Sequence, residues 1–305
     1  MKTIRIKSPA TSANVGPGYD IFALTLKAPW DEIVVSIAEK PGITISVSGN
    51  NSPIPCNPSD NTAGLAVLEL LKRKNLSIGV DIHICKKMPS GGGLGTTGAS
   101  AAGAIFGLNK LLDLKLSNNE MIDIARMGEV ASGGSPHADN VAASLLGGFV
   151  LVKSYNPIDA LKLEIAEFPV VLAVIRKSQR TTRGFITYEI GQEKLKDQMA
   201  RCARVIHAIY SKDIREFGEA INVDHIAEPV RSAAIPGYAE VKKAVLNKGA
   251  HGFTVSGGGS SVIAVCDKCD TEEIARIMRA GFADNPNFVD VIISSTSNTG
   301  VSVME

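Results

Sequence analysis

The order of apolar and polar positions changes period several times along the chain. Near the N-terminus, TIRIKSPA, DEIVVSIA and GITISVSG alternate or cluster β-branched residues, which predicts strands. TAGLAVLELLKRK, residues 62–74, has the apolar spacing of a helix, and GVDIHICK returns to a strand pattern. Helices follow at about 98–113, 118–131 and 138–146, then a strand over GGFVLVK at 147–153 and a loop with Asn156 and Pro157. EFPVVLAVIRK, from residue 167, is a buried-looking strand that opens a second block. That block runs strand, helices (about 193–210, 212–220 and 238–248), a strand pair, a helix at 271–281 and a last strand near 288–294. Strands and helices interleaved without a regular β-α-β alternation predict an α+β fold rather than a doubly wound sheet. The boundary between blocks falls near 155–168, giving units of 1–160 and 161–305.

Composition narrows the class without naming an activity. The 305 residues suit about two domains. With 45% apolar and 21% charged residues the chain reads as an ordinary soluble globular protein. A net charge of +1 gives no nucleic-acid footprint. No apolar run approaches the ~18 residues of a membrane span, and MKTIRIKSPA has no signal-peptide core, so a cytoplasmic enzyme is expected. Five scattered cysteines are not a disulfide framework. Cys266 and Cys269 make half a zinc site with no second half, which reads as a strand end carrying two reduced thiols.

The chemistry concentrates in glycine-rich turns. MPSGGGLGTTGASAA, residues 88–102, runs from the strand GVDIHICK straight into a small-residue helix. Gly91, Gly92, Gly93 and Gly95 leave the backbone bare, and Thr96, Thr97 and Ser100 place hydroxyls at the helix start. Unpaired N–H groups and a positive dipole end make such a start a phosphate site, although a flexible turn before an ordinary helix has the same letters. The loop is neither a Walker A sequence nor a G-x-G-x-x-G fingerprint. SPATSANVGPGYD, residues 8–20, supplies Asn14 and Asp20 beside Gly16 and Gly18, and reads either as a tight turn or as backbone brought close to a ligand. His137, Asp139 and Asn140 crowd a predicted helix start, more groups than a cap needs. Arg180, Arg183 and Arg231 lie in irregular stretches where a solvated surface is the ordinary alternative. FTVSGGGSSVIAV, residues 253–265, holds more glycine than a hairpin usually requires.

Taken in order, three of these segments resemble the motifs of the GHMP kinases, the small-molecule kinases named for galactose, homoserine, mevalonate and phosphomevalonate. The three are PATSANVGPGYD, PSGGGLGTTGASAA and VSGGGSS. The homoserine kinase branch adds a Gly-Pro-Gly-aromatic-Asp run, here Gly16 to Asp20. It also has a His-x-Asp-Asn-Val-Ala element, here His137 to Ala142, and a Glu-Pro-x-Arg…Ile-Pro-Gly element, here Glu228 to Gly237.

The resemblance implies a two-domain α+β fold, with a unit like ribosomal protein S5 domain 2 followed by a ferredoxin-like unit. It implies transfer of the ATP γ-phosphoryl group to the hydroxyl of L-homoserine. Pro89, Ser90, Gly91, Gly92, Gly93, Leu94, Gly95, Thr96 and Thr97 would hold the nucleotide phosphates, helped by Gly257 and Gly258. Asn61 resembles an adenine-side contact, and Thr97 with Glu129 resembles the Mg²⁺ site. Arg183 and Arg231 match carboxylate-binding arginines, while Asn14, Asp20 and His137 would surround the amino and hydroxyl ends. Asn140 would orient the hydroxyl and Asp139 support it electrostatically. Members are often dimers, and neither nucleic acid nor membrane is an expected partner. Departures are Thr96 and Thr97 for two serines, Gly258 and Ser260 for alanine and proline, and Gln179 where a threonine is usual. A related kinase for another alcohol, or a nucleotide-binding sensor, are the competing readings.

Overall fold

The computed structural model describes residues 2–49, 54–133, 135–177 and 190–305. The first half of the chain gives strands β1 (Thr3–Ala13), β2 (Phe22–Ala38) and β3 (Gly42–Gly49), helix α1 (Thr62–Arg73), strand β4 (Gly79–Lys86) and helix α2 (Thr96–Leu111). Helix α3 (Asn118–Arg126) tightens into a 3₁₀ turn, Met127–Glu129, before the single turn α4 (Val130–Gly133). Helix α5 (Asp139–Leu146) and the hairpin of β5 (Phe149–Tyr155) and β6 (Ile158–Leu163) follow.

The second half gives β7 (Pro169–Ile175), α6 (Gln192–Ser211), α7 (Ile214–Ile221), α8 (Glu228–Ser232), α9 (Tyr238–Asn247), β8 (Gly252–Val255) and β9 (Val262–Val265). Helix α10 (Thr271–Gly281), β10 (Phe288–Ser295) and β11 (Ser302–Val303) complete it.

Two sheets organise these elements. The first runs β11-β1-β2-β4-β3, with β5 and β6 attached through β2. Strand β2 is long enough to serve two neighbours besides β1: Phe22 to Leu24 pair with β5, and Glu32 to Ala38 pair with β4. Pro29 lies beside a register shift in β1 between Pro9 and Thr11, the irregularity a proline within a paired strand requires. The second sheet has the order β10-β7-β9-β8, fourth-first-third-second among its own strands, which is the ferredoxin-like order.

Strand β7 shows why its sequence is apolar throughout. Val170, Leu172 and Val174 join a core with Leu24, Phe149 and Phe217, and Val171, Ala173 and Ile175 join another with Phe253 and Met278. A third core fills the space between the first sheet and its helices, through Ile33, Val35, Leu70, Ile105 and Val141.

Most patterned elements appear within a few residues of their predicted bounds; β2 instead begins at Phe22, well before the DEIVVSIA run at 31–38, and three others carry too little pattern to be read. The 118–131 helix is broken at the 3₁₀ turn that carries Glu129. β6 was expected as loop. It is held by pairing with β5, while Asp159 and Lys162 blur its alternation and Leu161 is exposed. β11 has two residues, and α8 five. Cys266 is buried and Cys269 exposed, and no cluster of three metal-ligating side chains occurs among the described residues. No helix there is long and apolar enough to cross a membrane.

Candidate active site

The middle and last glycine-rich segments line one cavity of about 410 Å³, a volume suited to a small ligand, and the first segment is bonded to the last. Its lining includes Asn61, Ser90, Gly91, Gly93, Leu94, Gly95, Thr96 and Thr97 from the middle segment and its neighbours. Gly257, Gly258 and Gly259 come from the last segment, and Glu129, His137 and Asn140 from the helical side. Pro89 and Gly92 belong to the same loop without lining the cavity.

Helix α2 begins there with no side-chain cap. Its N-cap residue Gly95 is left-handed, φ 63°. Helices α1, α3 and α7, by contrast, are closed by Asn61, Ser117 and Asp213. The first amides of α2 thus keep the donors and positive field that attract an anion. Beneath this start lies a buried ion pair. Lys86 Nζ donates to Asp31 Oδ2 at 2.6 Å, to the Thr96 carbonyl at 2.9 Å and to Ser100 Oγ at 3.1 Å. The amides of Lys87 and Met88 donate to Asp31 Oδ1, so the loop leaves β4 on a fixed footing.

The last segment is built into the other two. Ser256 Oγ lies 2.9 Å from both the Gly93 carbonyl and Ser12 Oγ. A Cβ on Gly259 would stand 2.6 Å from the Gly93 Cα, so two backbones touch where side chains cannot fit. The Gly257 amide donates to the Ala13 carbonyl, and the Gly257 carbonyl accepts from Asn14 Nδ2 at 3.1 Å and from Arg231 Nη1 at 2.7 Å. Asn14 and Arg231, far apart in sequence, therefore converge on one atom at the cavity edge.

His137 Nδ1 lies 3.5 Å from Asp20 Oδ1, and its Nε2 is buried with no hydrogen-bond partner among the described residues. Such an atom costs free energy unless something arrives to meet it. Asp139 is 2% exposed, and its Oδ1 accepts from the amide of Asn140. Asn140 Oδ1 accepts from Thr11 Oγ1 at 2.8 Å, which fixes the carboxamide face. Glu129 is buried, and Thr97 lines the same cavity. Asn61 is first of all a cap: Oδ1 accepts from Ala63 and Gly64 amides and Nδ2 donates to the Pro55 carbonyl. Arg183, with Arg180 and Gln179, lies outside the described residues.

Comparison with known proteins bears on this arrangement. The model for the GHMP kinases N terminal domain matches residues 61–148, and that for the GHMP kinases C terminal domain matches residues 205–284. A homoserine kinase from Methanococcus maripaludis is 40% identical over 281 residues, 92% of this chain and 93% of that protein. The chain belongs to the GHMP kinase family. A crystal structure of homoserine kinase from Cytophaga hutchinsonii superposes with a TM-score of 0.90 at 32% identity, covering 100% of this chain and 98% of that one. L. major mevalonate kinase, in complex with R-mevalonate, shares the fold at a TM-score of 0.72 and 15% identity, over 98% of this chain and 97% of that one.

Several residues of this GHMP kinase that shape the site carry no motif signal. Lys86 and Asp31 read as ordinary strand positions. Gln198, buried on α6, donates to the Pro17 carbonyl at 2.7 Å and to Asp224 Oδ1 at 3.0 Å. Asp224 in turn accepts from the amides of Ile226, Ala227 and Glu228, at the start of the helix that carries Arg231. Tyr155 donates to the Asp20 carbonyl at 2.7 Å. Only their tertiary neighbours reveal them.

Proposed function

We propose that the chain is a cytoplasmic homoserine kinase, which transfers the γ-phosphoryl group of ATP to the side-chain hydroxyl of L-homoserine. The observation that carries this reading is the similarity to homoserine kinases across nearly the whole chain, 92% of it in the Methanococcus maripaludis comparison. The geometry supplies a role for each group. The bare start of α2 and the touching glycine loops form a cradle that a side chain would fill, which suits nucleotide phosphates. Buried Glu129 with Thr97 suits Mg²⁺, an ion that uses one or two carboxylates and completes its shell with phosphate oxygens and water. Bound there, the ion would neutralise charge on the phosphates.

On the acceptor side, Arg231 supplies a planar fork for the α-carboxylate, together with Arg183. Asp20 meets the α-ammonium, and Asn14 and His137 complete the surround. The oxygen of the hydroxyl forms the new O–P bond as the bond to the β-phosphate oxygen breaks, and its proton leaves to solvent. A loose phosphoryl transfer asks mainly for alignment and charge neutralisation. Asn140, held by Thr11, orients the hydroxyl, and Asp139 supports the charge distribution around it. The nucleotide side is assigned to residues 1–160 and the remainder of the fold to 161–305.

An ADP-release assay with Mg·ATP and L-homoserine, mevalonate, shikimate, L-serine or galactose tests this reading. Turnover with L-homoserine is expected. Arg231→Ala should then raise the KM for homoserine by about 10- to 100-fold, the worth of a hydrogen bond to a charged group. Turnover of mevalonate or shikimate in place of homoserine would overturn the substrate, and nucleotide binding without any turnover would favour a sensor.

A further inference from the structure

Asp20 sits in an unusual backbone state. Its φ is 58°, in the left-handed region that residues with a Cβ visit seldom, aspartate and asparagine more readily than most. Two side chains hold it there, one from the same segment and one from far along the chain. Asn14 Oδ1 accepts from the Asp20 amide at 3.1 Å, and Tyr155, the last residue of β5, donates its hydroxyl to the Asp20 carbonyl at 2.7 Å. The amide and carbonyl of this one residue are thereby pinned, and its carboxylate stays 3.5 Å from His137 Nδ1.

Tyr155 belongs to the hairpin of the first sheet, whose strand β5 pairs with β2 directly after the turn that holds Asp20. The Val152 amide donates to the Ile21 carbonyl, so the brace is carried by sheet backbone and not by a loose loop. Burial, and then the carboxylates of Asp139 and Asp20, push the Tyr155 hydroxyl far above its ordinary range, against the amide of Ala138. It remains a neutral donor wherever the enzyme is assayed.

We infer that Tyr155 is a positioning residue for acceptor recognition, acting through Asp20 to set the preference for acceptors that carry an α-ammonium. This rests on the reading of the protein as a homoserine kinase. Removing the hydroxyl releases the Asp20 carbonyl, lets the residue leave its left-handed state and takes the carboxylate away from the ammonium. The nucleotide cradle is untouched.

Tyr155→Phe keeps the ring and tests this directly. The KM for L-homoserine should rise about tenfold, while kcat and the KM for ATP stay within about twofold. Turnover of 4-hydroxybutanoate, which lacks the ammonium, should be unchanged. In an Asp20→Asn background the same substitution should alter the homoserine KM by less than about twofold, because the group it serves has gone. An equal effect on both acceptors, an undiminished effect in the Asp20→Asn background, or a loss of thermal stability with unchanged selectivity would overturn the proposal. Wild-type protein inactive on homoserine, or an Asp20→Asn variant with an unaltered homoserine KM, would instead refute the functional reading beneath it.

Discussion

At the scale of single residues the site depends on where a Cβ is absent. Gly95 combines a left-handed backbone with a position 1.9 Å from Thr11 Oγ1 and 2.7 Å from Asn140 Oδ1, measured from an added Cβ. Gly95→Ala must therefore displace the bonded pair of Thr11 and Asn140. A loss of about 1–3 kcal/mol in urea denaturation is expected, from the backbone conformation and the overpacking together. With Asn140 in the proposed role of orienting the acceptor hydroxyl, a fall of about 100-fold in kcat should accompany it. An unaltered kcat would remove Asn140 from the role given to it. The glycine itself was legible because its motif is dense and sits between a strand and a helix. The role of Thr11, its partner in space, was not: it lies inside PATSANVGPGYD, but nothing in that motif says that it holds an asparagine 129 positions away.

Elements show the same division between pattern and context. Helix α1 announces itself by apolar spacing, and β7 by an apolar run. Asp31, by contrast, sits among polar positions of an alternating strand yet is fully buried against Lys86. Its burial follows from the sheet placing β2 beside β4, which no local pattern encodes. Helices α1 and α3 are tied by charge in a more conventional way. Arg73 of α1 and Arg126 of α3 lie 2.6 and 2.7 Å from the two oxygens of Asp123. Partial burial opposes ionisation of Asp123, but the hydrogen bonds from Arg73 and Arg126 outweigh it and hold its carboxyl below the usual range. A carboxylate with a depressed folded-state pKa adds stability above its unfolded pKa and loses it as pH falls through the folded value. Asp123→Asn should cost about 1 kcal/mol at pH 7, and the difference from wild type should fade below about pH 4. Denaturation curves at several pH values check this, and a difference that persists in acid would show packing to be the cause.

The whole molecule is organised around contacts that cross between its halves. The first and middle glycine segments hang from the seven-stranded sheet, while the last belongs to the four-stranded one, and Ser256 joins all three. That convergence could be anticipated from the motifs, whereas the course of the final residues could not. After β10 the chain returns to the first sheet, where β11 pairs with Ile6 and Lys7, and the Met304 amide donates to the Arg5 carbonyl. The four-stranded sheet is therefore an excursion from the first, and heredity by recombination must respect that. A chimera that takes residues 165–305 from a relative such as the Methanococcus maripaludis protein imports a foreign edge strand along with the second sheet. One with crossovers near 165 and again near 296 leaves every pairing of the first sheet parental. The double-crossover chimera should melt closer to its parents than the single-crossover one, and thermal unfolding of the two side by side would measure how much the last ten residues contribute.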